Sequence, residues 1–186
     1  MEPGKIILGV DPGTTIMGYG IIAARARKPE VLTLGVIELH KLEDHYKKIQ
    51  KIFERTLWLI DEFHPDVMAI EAPFYGKNVQ SMLKLGRAQG AAISAALYRS
   101  LPVFEYAPRR IKQAITGEGS ASKEQVAGVL QKYLQLKEIP KNLDATDGLA
   151  AAVCHYFQLA SPAAANTGGT SKNWTDFIRS NPGRVK

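Results

Sequence analysis

The sequence has a single cysteine among its 186 residues, Cys154. A lone cysteine cannot form a disulfide within the chain and gives no sign of a metal held by thiolates. No apolar run approaches the ~20 residues that a membrane-spanning helix needs, and residues 1–5 lack the layout of a secretory signal. These features exclude disulfide-rich, zinc-thiolate and membrane-embedded classes. We therefore expect a soluble protein with no membrane partner.

Acidic residues are absent from a long central stretch. From Ala72 through Phe104 there is no Asp or Glu, whereas basic residues continue through it: Lys77, Lys84, Arg87 and Arg99. Further basic residues follow in 107–123 and in the last 27 positions, and the whole chain carries a net charge of +6. Positive charge set in blocks indicates a polyanionic partner, most simply nucleic acid. A generic solubilising surface is the alternative.

The hydrophobic pattern predicts one α/β domain with a five-stranded sheet flanked by helices. Strands are predicted at 5–11, 17–23 and 31–37, as an antiparallel meander, and at 67–70 and 103–106. Helices are predicted at 44–63, 78–99, 108–115, 122–136 and 143–159. In the first helix, Tyr46, Ile49, Phe53, Leu57 and Ile60 form one apolar stripe. The domain is expected to cover 1–159, with a flexible basic tail at 160–186.

Asp11 ends the first apolar run, Ile6-Ile7-Leu8-Gly9-Val10. A run without polar alternation is typical of a strand buried on both faces. A carboxylate at its end is costly to bury unless a cation pairs with it. Pro12-Gly13 then turns the chain, so a hairpin is predicted. Asp before Pro-Gly also commonly caps its own turn, which is the structural explanation for this residue.

Three more carboxylates occupy comparable positions. Glu71 ends the short strand at 67–70, and Asp144 and Asp147 open the last helix, three residues apart and so on one face. Helix capping would explain the two aspartates equally well. Gathered together, however, four carboxylates repel unless hard divalent cations neutralise them. Oxygen-only ligands favour Mg²⁺ or Mn²⁺ over zinc, and paired ions of this kind cleave phosphodiesters.

These residues belong to a longer ordered pattern. It begins with Ile7-Leu8-Gly9-Val10-Asp11-Pro12-Gly13, continues through Gly18-Tyr19-Gly20 and Ala69-Ile70-Glu71, and ends with Asp144-Ala145-Thr146-Asp147-Gly148-Leu149-Ala150. Between them lie Phe74, Lys77-Asn78, Leu83-Lys84-Leu85-Gly86, Gly90, 102–107, Ile111-Lys112-Gln113, Gly117, Gly119-Ser120 and Lys123. From about residue 5 to 157 the chain closely resembles the RuvC-type Holliday-junction resolvases, which have a ribonuclease-H-like fold.

The resemblance implies a metal-dependent endonuclease of DNA recombination and repair, acting on DNA in the bacterial cytoplasm. Such enzymes resolve four-way junctions by paired symmetric nicks that leave 5′-phosphate and 3′-hydroxyl ends. The family's catalytic, metal-binding positions match Asp11, Glu71, Asp144 and Asp147, with two Mg²⁺ per subunit expected and Mn²⁺ as a substitute. Some members have His where this chain has Asp144.

The resemblance also implies DNA contacts. Phe74 matches an aromatic placed against an unpaired base, which agrees with the stacking of aromatic rings on exposed bases. A loop-anchoring role is the alternative for Phe74. Lys112 and Lys123 match lysines that lie near the DNA and support catalysis. Phosphate contacts are predicted for the remaining basic residues of these segments: Lys77, Arg109 and Arg110.

The helix at 78–99 has unusually small side chains. Its apolar positions include Met82, Leu83, Gly86 and Gly90, and small residues let another backbone approach closely. The resemblance implies a homodimer with this helix at the twofold interface, which suits a nearly twofold junction that needs two cuts. Close packing against the chain's own sheet is the alternative. For the tail, the alternatives are DNA, a branch-migration helicase complex, or no partner.

Three other functions fit part of the pattern. Asp11-Pro12-Gly13-Thr14 resembles the phosphate loop of the actin and sugar-kinase group, although that group needs two such domains. A DNA-binding protein without chemistry is a second alternative, opposed by the presence of all four acidic residues. Cleavage of RNA–DNA hybrids is a third, since it shares the fold and metals. No role is assigned from sequence to Glu105, Cys154 or His155.

Overall fold

The structure is a computed structural model that describes residues 4–25, 27–73 and 78–160. Its strands are β1 (Ile6–Asp11), β2 (Ile16–Ala23), β3 (Glu30–Glu38), β4 (Val67–Glu71) and β5 (Val103–Tyr106). Its helices are α1 (His45–Phe63), α2 (Val79–Tyr98), α3 (Pro108–Thr116), α4 (Lys123–Leu134) and α5 (Asp144–Ala160). Every strand and helix predicted from the sequence is therefore present. None of the described helices is long and apolar enough to cross a bilayer.

The strands form one mixed sheet in the order β3-β2-β1-β4-β5. The first three strands pair antiparallel, as the predicted meander requires, and β1–β4 and β4–β5 pair parallel. Because β1 and β4 are parallel and Val10 pairs with Ile70, the two strands end side by side. Asp11 and Glu71 are the last residues of these neighbouring strands.

Helices cover both faces of the sheet, and the period of two in the strands decides which side chains each face receives. Leu8, Val10, Met68 and Ile70 pack in the core formed with α1 and α2. Ile7 and Ala69 pack in the opposite core, against α3, α4 and α5. Alternation therefore places Asp11 and Glu71, two residues after Gly9 and Ala69, on the α5 face.

The first helix buries a stripe that is rotated from the predicted one: Ile60 is buried and Ile49 packs against the core as predicted, but the other predicted residues do not form the buried line. Its buried residues are Ile52, Thr56, Leu59 and Ile60, whereas Tyr46 is 76% exposed. The prediction followed the large aromatic and apolar residues, but burial follows the line of the helix that faces the sheet. Thr56 is fully buried on that line although its hydroxyl has no hydrogen-bond partner.

Helix α5 lies on the sheet almost backbone to backbone. A Cβ added at Gly20 would come within 2.5 Å of Leu149 Cα, and one at Gly148 within 2.5 Å of Tyr19 Cα. Gly9 and Gly18 face the same helix with similarly little space. Only glycine permits this approach, which fixes the first turns of α5 against the strands β1 and β2.

The tail and two of the predicted DNA-binding residues cannot be placed. Residues 161–186 lie outside the described residues, as do Phe74 and Lys77. Ala160, assigned to the tail from the sequence, is the last residue of α5. The division into a domain and a basic tail otherwise stays a prediction.

Candidate functional site

The ends of two strands and the start of one helix meet on the α5 face. Carboxylate oxygens of Asp11, Asp144 and Asp147 all lie within 4.8 Å of one another. Asp11 comes from β1 and the two others from the first turn of α5. In β2, Gly18 pairs with Asp11 and packs against the backbone of Asp144, so this glycine sets the distance between the two elements.

Glu71 stands beside this group of three. It ends the neighbouring strand and lines a groove of about 560 Å³ together with Asp147. Its pKa is raised to about 7, first by burial and then by repulsion from Asp147. The fourth carboxylate is thus electrostatically part of the cluster, although it does not belong to the set within 4.8 Å.

The clustered carboxylates are hard to ionise together. Burial, with the negative charges of Glu71 and Asp147 acting in the same direction, raises the pKa of Asp11 to about 8. Burial likewise raises the pKa of Asp147, opposed by the ammonium of Lys123. A divalent cation would remove both penalties, because it replaces lost hydration and cancels the repulsion.

Neither capping explanation accounts for these aspartates. The start of α5 is capped by Asn142, whose side-chain oxygen accepts a hydrogen bond from the backbone N–H of Asp144 at 3.0 Å. Among the described residues, no backbone N–H donates to the carboxylate of Asp11, Asp144 or Asp147. Within the described residues no backbone group therefore occupies these oxygens, and the ammonium of Lys123 contacts one oxygen of Asp144 and one of Asp147.

One buried oxygen of the group shows that this site requires a cation. Asp147 Oδ2 is buried and has no hydrogen bond of good geometry, and its close neighbour is Lys123 Nζ at 2.5 Å. A buried carboxylate oxygen in this state is costly unless a cation binds it. With carboxylates as the only donors, the site fits a hard cation such as Mg²⁺ or Mn²⁺.

Basic residues surround the acidic group. Arg109, Lys112 and Lys123 line the same groove as Glu71 and Asp147. The Nζ of Lys123 also donates to Asp144 Oδ1 at 3.0 Å. Arg110 does not line this groove. Burial raises the pKa values of Tyr106 and Cys154, and the charge of Arg110 opposes that rise, which places Arg110 toward the β5 side.

Glu105, His155 and Cys154, to which the sequence assigned no role, are held by contacts within the fold. Glu105 accepts a hydrogen bond at 3.0 Å from Gln89, whose side chain on α2 lies near the carbonyl of Glu71. His155 is buried, with Tyr106 Oη 2.7 Å from its Nδ1. Cys154 is fully buried, and burial raises the pKa of its thiol to about 11. None of the three belongs to the acidic group within the described residues.

One face of α2 is open. Leu83 is 53% and Leu97 60% exposed, and a Cβ at Gly86 or Gly90 would meet nothing within 4 Å. Packing against the sheet is instead made by buried alanines: Ala88, Ala91, Ala92, Ala95 and Ala96. Intrachain packing therefore does not explain the two glycines.

Sequence reasoning predicted Lys123 as a site residue but missed its contact with the aspartates, and it also missed Gln89 and the packing role of three glycines. The direct contact of Lys123 with the two aspartates of α5 could not be read from their spacing, because it depends on how α4 packs beside α5. Gln89 was also missed, although a polar residue inside a run of small apolar ones was a usable signal. Gly18, Gly20 and Gly148 were a signal in the sequence that α5 packs closely on the strands, and this signal was not interpreted.

The mixed sheet in this strand order, with carboxylates at the ends of β1 and β4 and at the start of α5, defines a ribonuclease-H-like domain with an acidic centre. A family model for "Crossover junction endodeoxyribonuclease RuvC" matches residues 7–155. A protein of that name from Porphyromonas gingivalis is 59% identical over 184 residues, covering 98% of this chain and 97% of the relative.

Two solved structures from Thermus thermophilus agree with the domain. RuvC from that organism superposes with a TM-score of 0.75 at 33% identity, covering 83% of this chain and 95% of that one. RuvC in complex with Holliday junction substrate gives a TM-score of 0.75 at 31% identity, covering 84% and 95%. The chain belongs to the RuvC family of crossover junction endodeoxyribonucleases.

Proposed function

We propose that this chain is a metal-dependent endonuclease that resolves Holliday junctions by paired symmetric nicks in recombination and repair. One observation carries the proposal: the partly buried carboxylates of Asp11, Asp144 and Asp147 lie within 4.8 Å of one another. Asp147 also lines a groove that has basic residues, and the chain is a member of the RuvC family. The expected place of action is DNA in the bacterial cytoplasm.

Four carboxylates would hold the metal. Asp11, Asp144 and Asp147 form the compact group, and Glu71 approaches it from the neighbouring strand. Bound there, Mg²⁺ ions would lower the pKa of an attacking water and neutralise charge on the departing 3′ oxygen, which leaves 5′-phosphate and 3′-hydroxyl ends. Two ions per subunit, with Mn²⁺ as a substitute, are part of this proposal.

The chain's own basic residues would hold the DNA. Arg109 and Lys112 line the groove beside the acids, where they can pair with backbone phosphates and position the scissile one. Arg110 and Lys77 are proposed for phosphates farther out. Phe74 is proposed to stack on a base unpaired at the junction centre, because an aromatic ring stabilises an exposed base whatever its sequence.

A dimer would supply two such sites. The face of α2 that carries Met82, Leu83, Gly86 and Gly90 is open, and its glycines leave room for a second helix. A twofold dimer would present two acidic centres to the two strands that must be cut. A branch-migration helicase complex is a further proposed partner, with the tail as the candidate contact.

The test is cleavage of a labelled synthetic four-way junction with Mg²⁺, beside linear duplex and RNA–DNA hybrid of the same sequence. The control is Asp11→Asn, which removes a ligand charge and little volume. We expect paired symmetric nicks in the junction alone. Asp11→Asn should lose this cleavage but still bind the junction.

Other outcomes would contradict parts of the proposal. Normal cutting by Asp11→Asn would remove Asp11 from the site. Cleavage of the RNA–DNA hybrid but not of the junction would support the metal centre but contradict the proposed junction resolution. Nucleotide-induced thermal stabilisation without any nuclease activity would favour the phosphotransferase alternative instead.

A further inference from the structure

Lys123 is fixed at the point where α4 begins. Its predecessor Ser122 is the N-cap, and Ser122 and Gln125 exchange hydrogen bonds between side chain and backbone, at 2.7 and 3.3 Å. Such a reciprocal cap holds the first turn of a helix rigid. The Cα of Lys123 is therefore well anchored, whereas its side chain is 50% exposed and long enough to change direction.

The ammonium of Lys123 bridges the two aspartates of α5. It donates to Asp144 Oδ1 at 3.0 Å and lies 2.5 Å from Asp147 Oδ2. Both residues belong to the group of three whose oxygens lie within 4.8 Å. Lys123 thus neutralises two of the three carboxylates that point toward one another.

An ammonium and a divalent ion cannot share these oxygens. Mg²⁺ binds carboxylate oxygen at about 2.0–2.1 Å and demands near-octahedral geometry. Lys123 Nζ now faces one oxygen of each of these aspartates, and two cations at one small site repel each other strongly. The partial burial of Asp147, whose side chain is 13% exposed, leaves little room for both.

We propose that Lys123 is a built-in counter-ion that exchanges with the metal. Its ammonium holds Asp144 and Asp147 together, a divalent ion displaces it from them, and the displaced ammonium turns toward a DNA phosphate in the groove. The exchange rests on the metal site of the proposed function. It gives Lys123 a role before DNA arrives, in addition to any role beside the DNA.

Lys112 provides a matched comparison. It lines the same groove, and its positive charge opposes the rise in the pKa of Glu71 and of Asp147 that burial causes. Among the described residues, however, it makes no ion pair with either aspartate of α5. Replacing Lys112 removes a charge near the site, whereas replacing Lys123 removes a charge from the carboxylates themselves.

The experiment compares the full chain with Lys123→Met, Lys123→Gln and Lys112→Met. Calorimetry measures Mg²⁺ and Mn²⁺ binding, and thermal unfolding is recorded in chelator and in saturating Mg²⁺. The ¹⁵Nζ signal of Lys123 is followed during the Mg²⁺ titration. No DNA or cleavage is involved, so metal exchange is read independently of activity.

Exchange predicts three results. Lys123→Met and Lys123→Gln should bind metal about tenfold more tightly, more than Lys112→Met, because the direct competitor is gone. Both should unfold at a lower temperature than the unchanged chain in chelator, and Mg²⁺ should close that gap. The Lys123 ¹⁵Nζ signal should shift with the same midpoint as the calorimetric titration.

The proposal is overturned if the Lys123 signal is unmoved at saturating Mg²⁺, or if Lys123→Met and Lys112→Met change metal affinity equally. If the unchanged chain binds metal normally, either result contradicts only the exchange and not the proposed function. No metal binding to the unchanged chain would overturn the metal centre itself, and with it the exchange.

Discussion

Gly18→Ala tests whether close packing of α5 places the clustered carboxylates. Gly18 pairs with Asp11 across the hairpin, and its missing side chain is where the backbone of Asp144 lies. A Cβ at this position would be 2.6 Å from the carbonyl carbon of Asp144 and closer still to its oxygen. Optimal carbon–carbon contact is about 3.5–4.0 Å, so the helix start must move away by at least about 1 Å.

That displacement has two consequences of different size. Overpacking typically costs about 1–3 kcal/mol, which a folded domain can tolerate. A shift of about 1 Å at a reacting site, however, can reduce the rate about 100-fold. Because the added methyl parts Asp144 from Asp11, we expect weaker metal binding and about 100-fold slower junction cleavage by a chain that remains folded.

The assay is single-turnover cleavage of a four-way junction, at a temperature where circular dichroism shows the variant folded. Gly128→Ala is the matched control, because a Cβ at this helical position meets nothing within 4 Å. It should stabilise the chain by about 0.5–1 kcal/mol and leave cleavage unchanged. Cleavage by Gly18→Ala within threefold of the unchanged chain would refute the reasoning.

Three further predictions follow from the same structure. Ser122→Ala should lower the free energy of unfolding by about 1 kcal/mol, measured in urea, because it removes the N-cap of α4; an unchanged midpoint would contradict the cap. Leu83→Glu should give a folded monomer in sedimentation, since it places charge on the open face of α2; an unchanged dimer would exclude that face. Metal affinity should rise from pH 6 to 8, because Glu71 and Asp11, with pKa values of about 7 and about 8, must lose protons to bind it. Calorimetry in buffers of different ionisation enthalpy should detect the released protons, and a flat pH profile would contradict the raised pKa values.

The fold was predictable because its signals are local. Buried strands appear as short apolar runs, and the hairpin after Asp11 is marked by Pro12-Gly13. Helices α1 to α5 all follow from periodicity and caps. The buried face of α1 was misjudged because periodicity gives a stripe but not its direction, and Tyr46 is exposed while Thr56 is buried.

The site was predictable only in part, for the same reason. Asp11 and Glu71 could be inferred from the rule that parallel neighbours end at one edge of the sheet. Asp144 and Asp147 needed the further assumption that α5 lies over that edge. The bridge from Lys123 to those aspartates joins residues 21 positions apart and depends on the packing of two helices, for which the sequence has no periodic signal.

The glycines, the acids and the lysine act as one arrangement. Gly18 and Gly148 let α5 lie directly on the strands, which excludes water and brings the carboxylates together. That exclusion is the first cause of the raised pKa of Asp11, so the close packing that fixes the geometry also makes the negative charges costly. A cation must then be present, and Lys123 supplies one until metal does. The packing that positions the carboxylates thus also makes their negative charges costly without a cation, which favours metal binding. Variants at Gly18 or Gly148 should therefore change metal affinity in proportion to how far they move the start of α5.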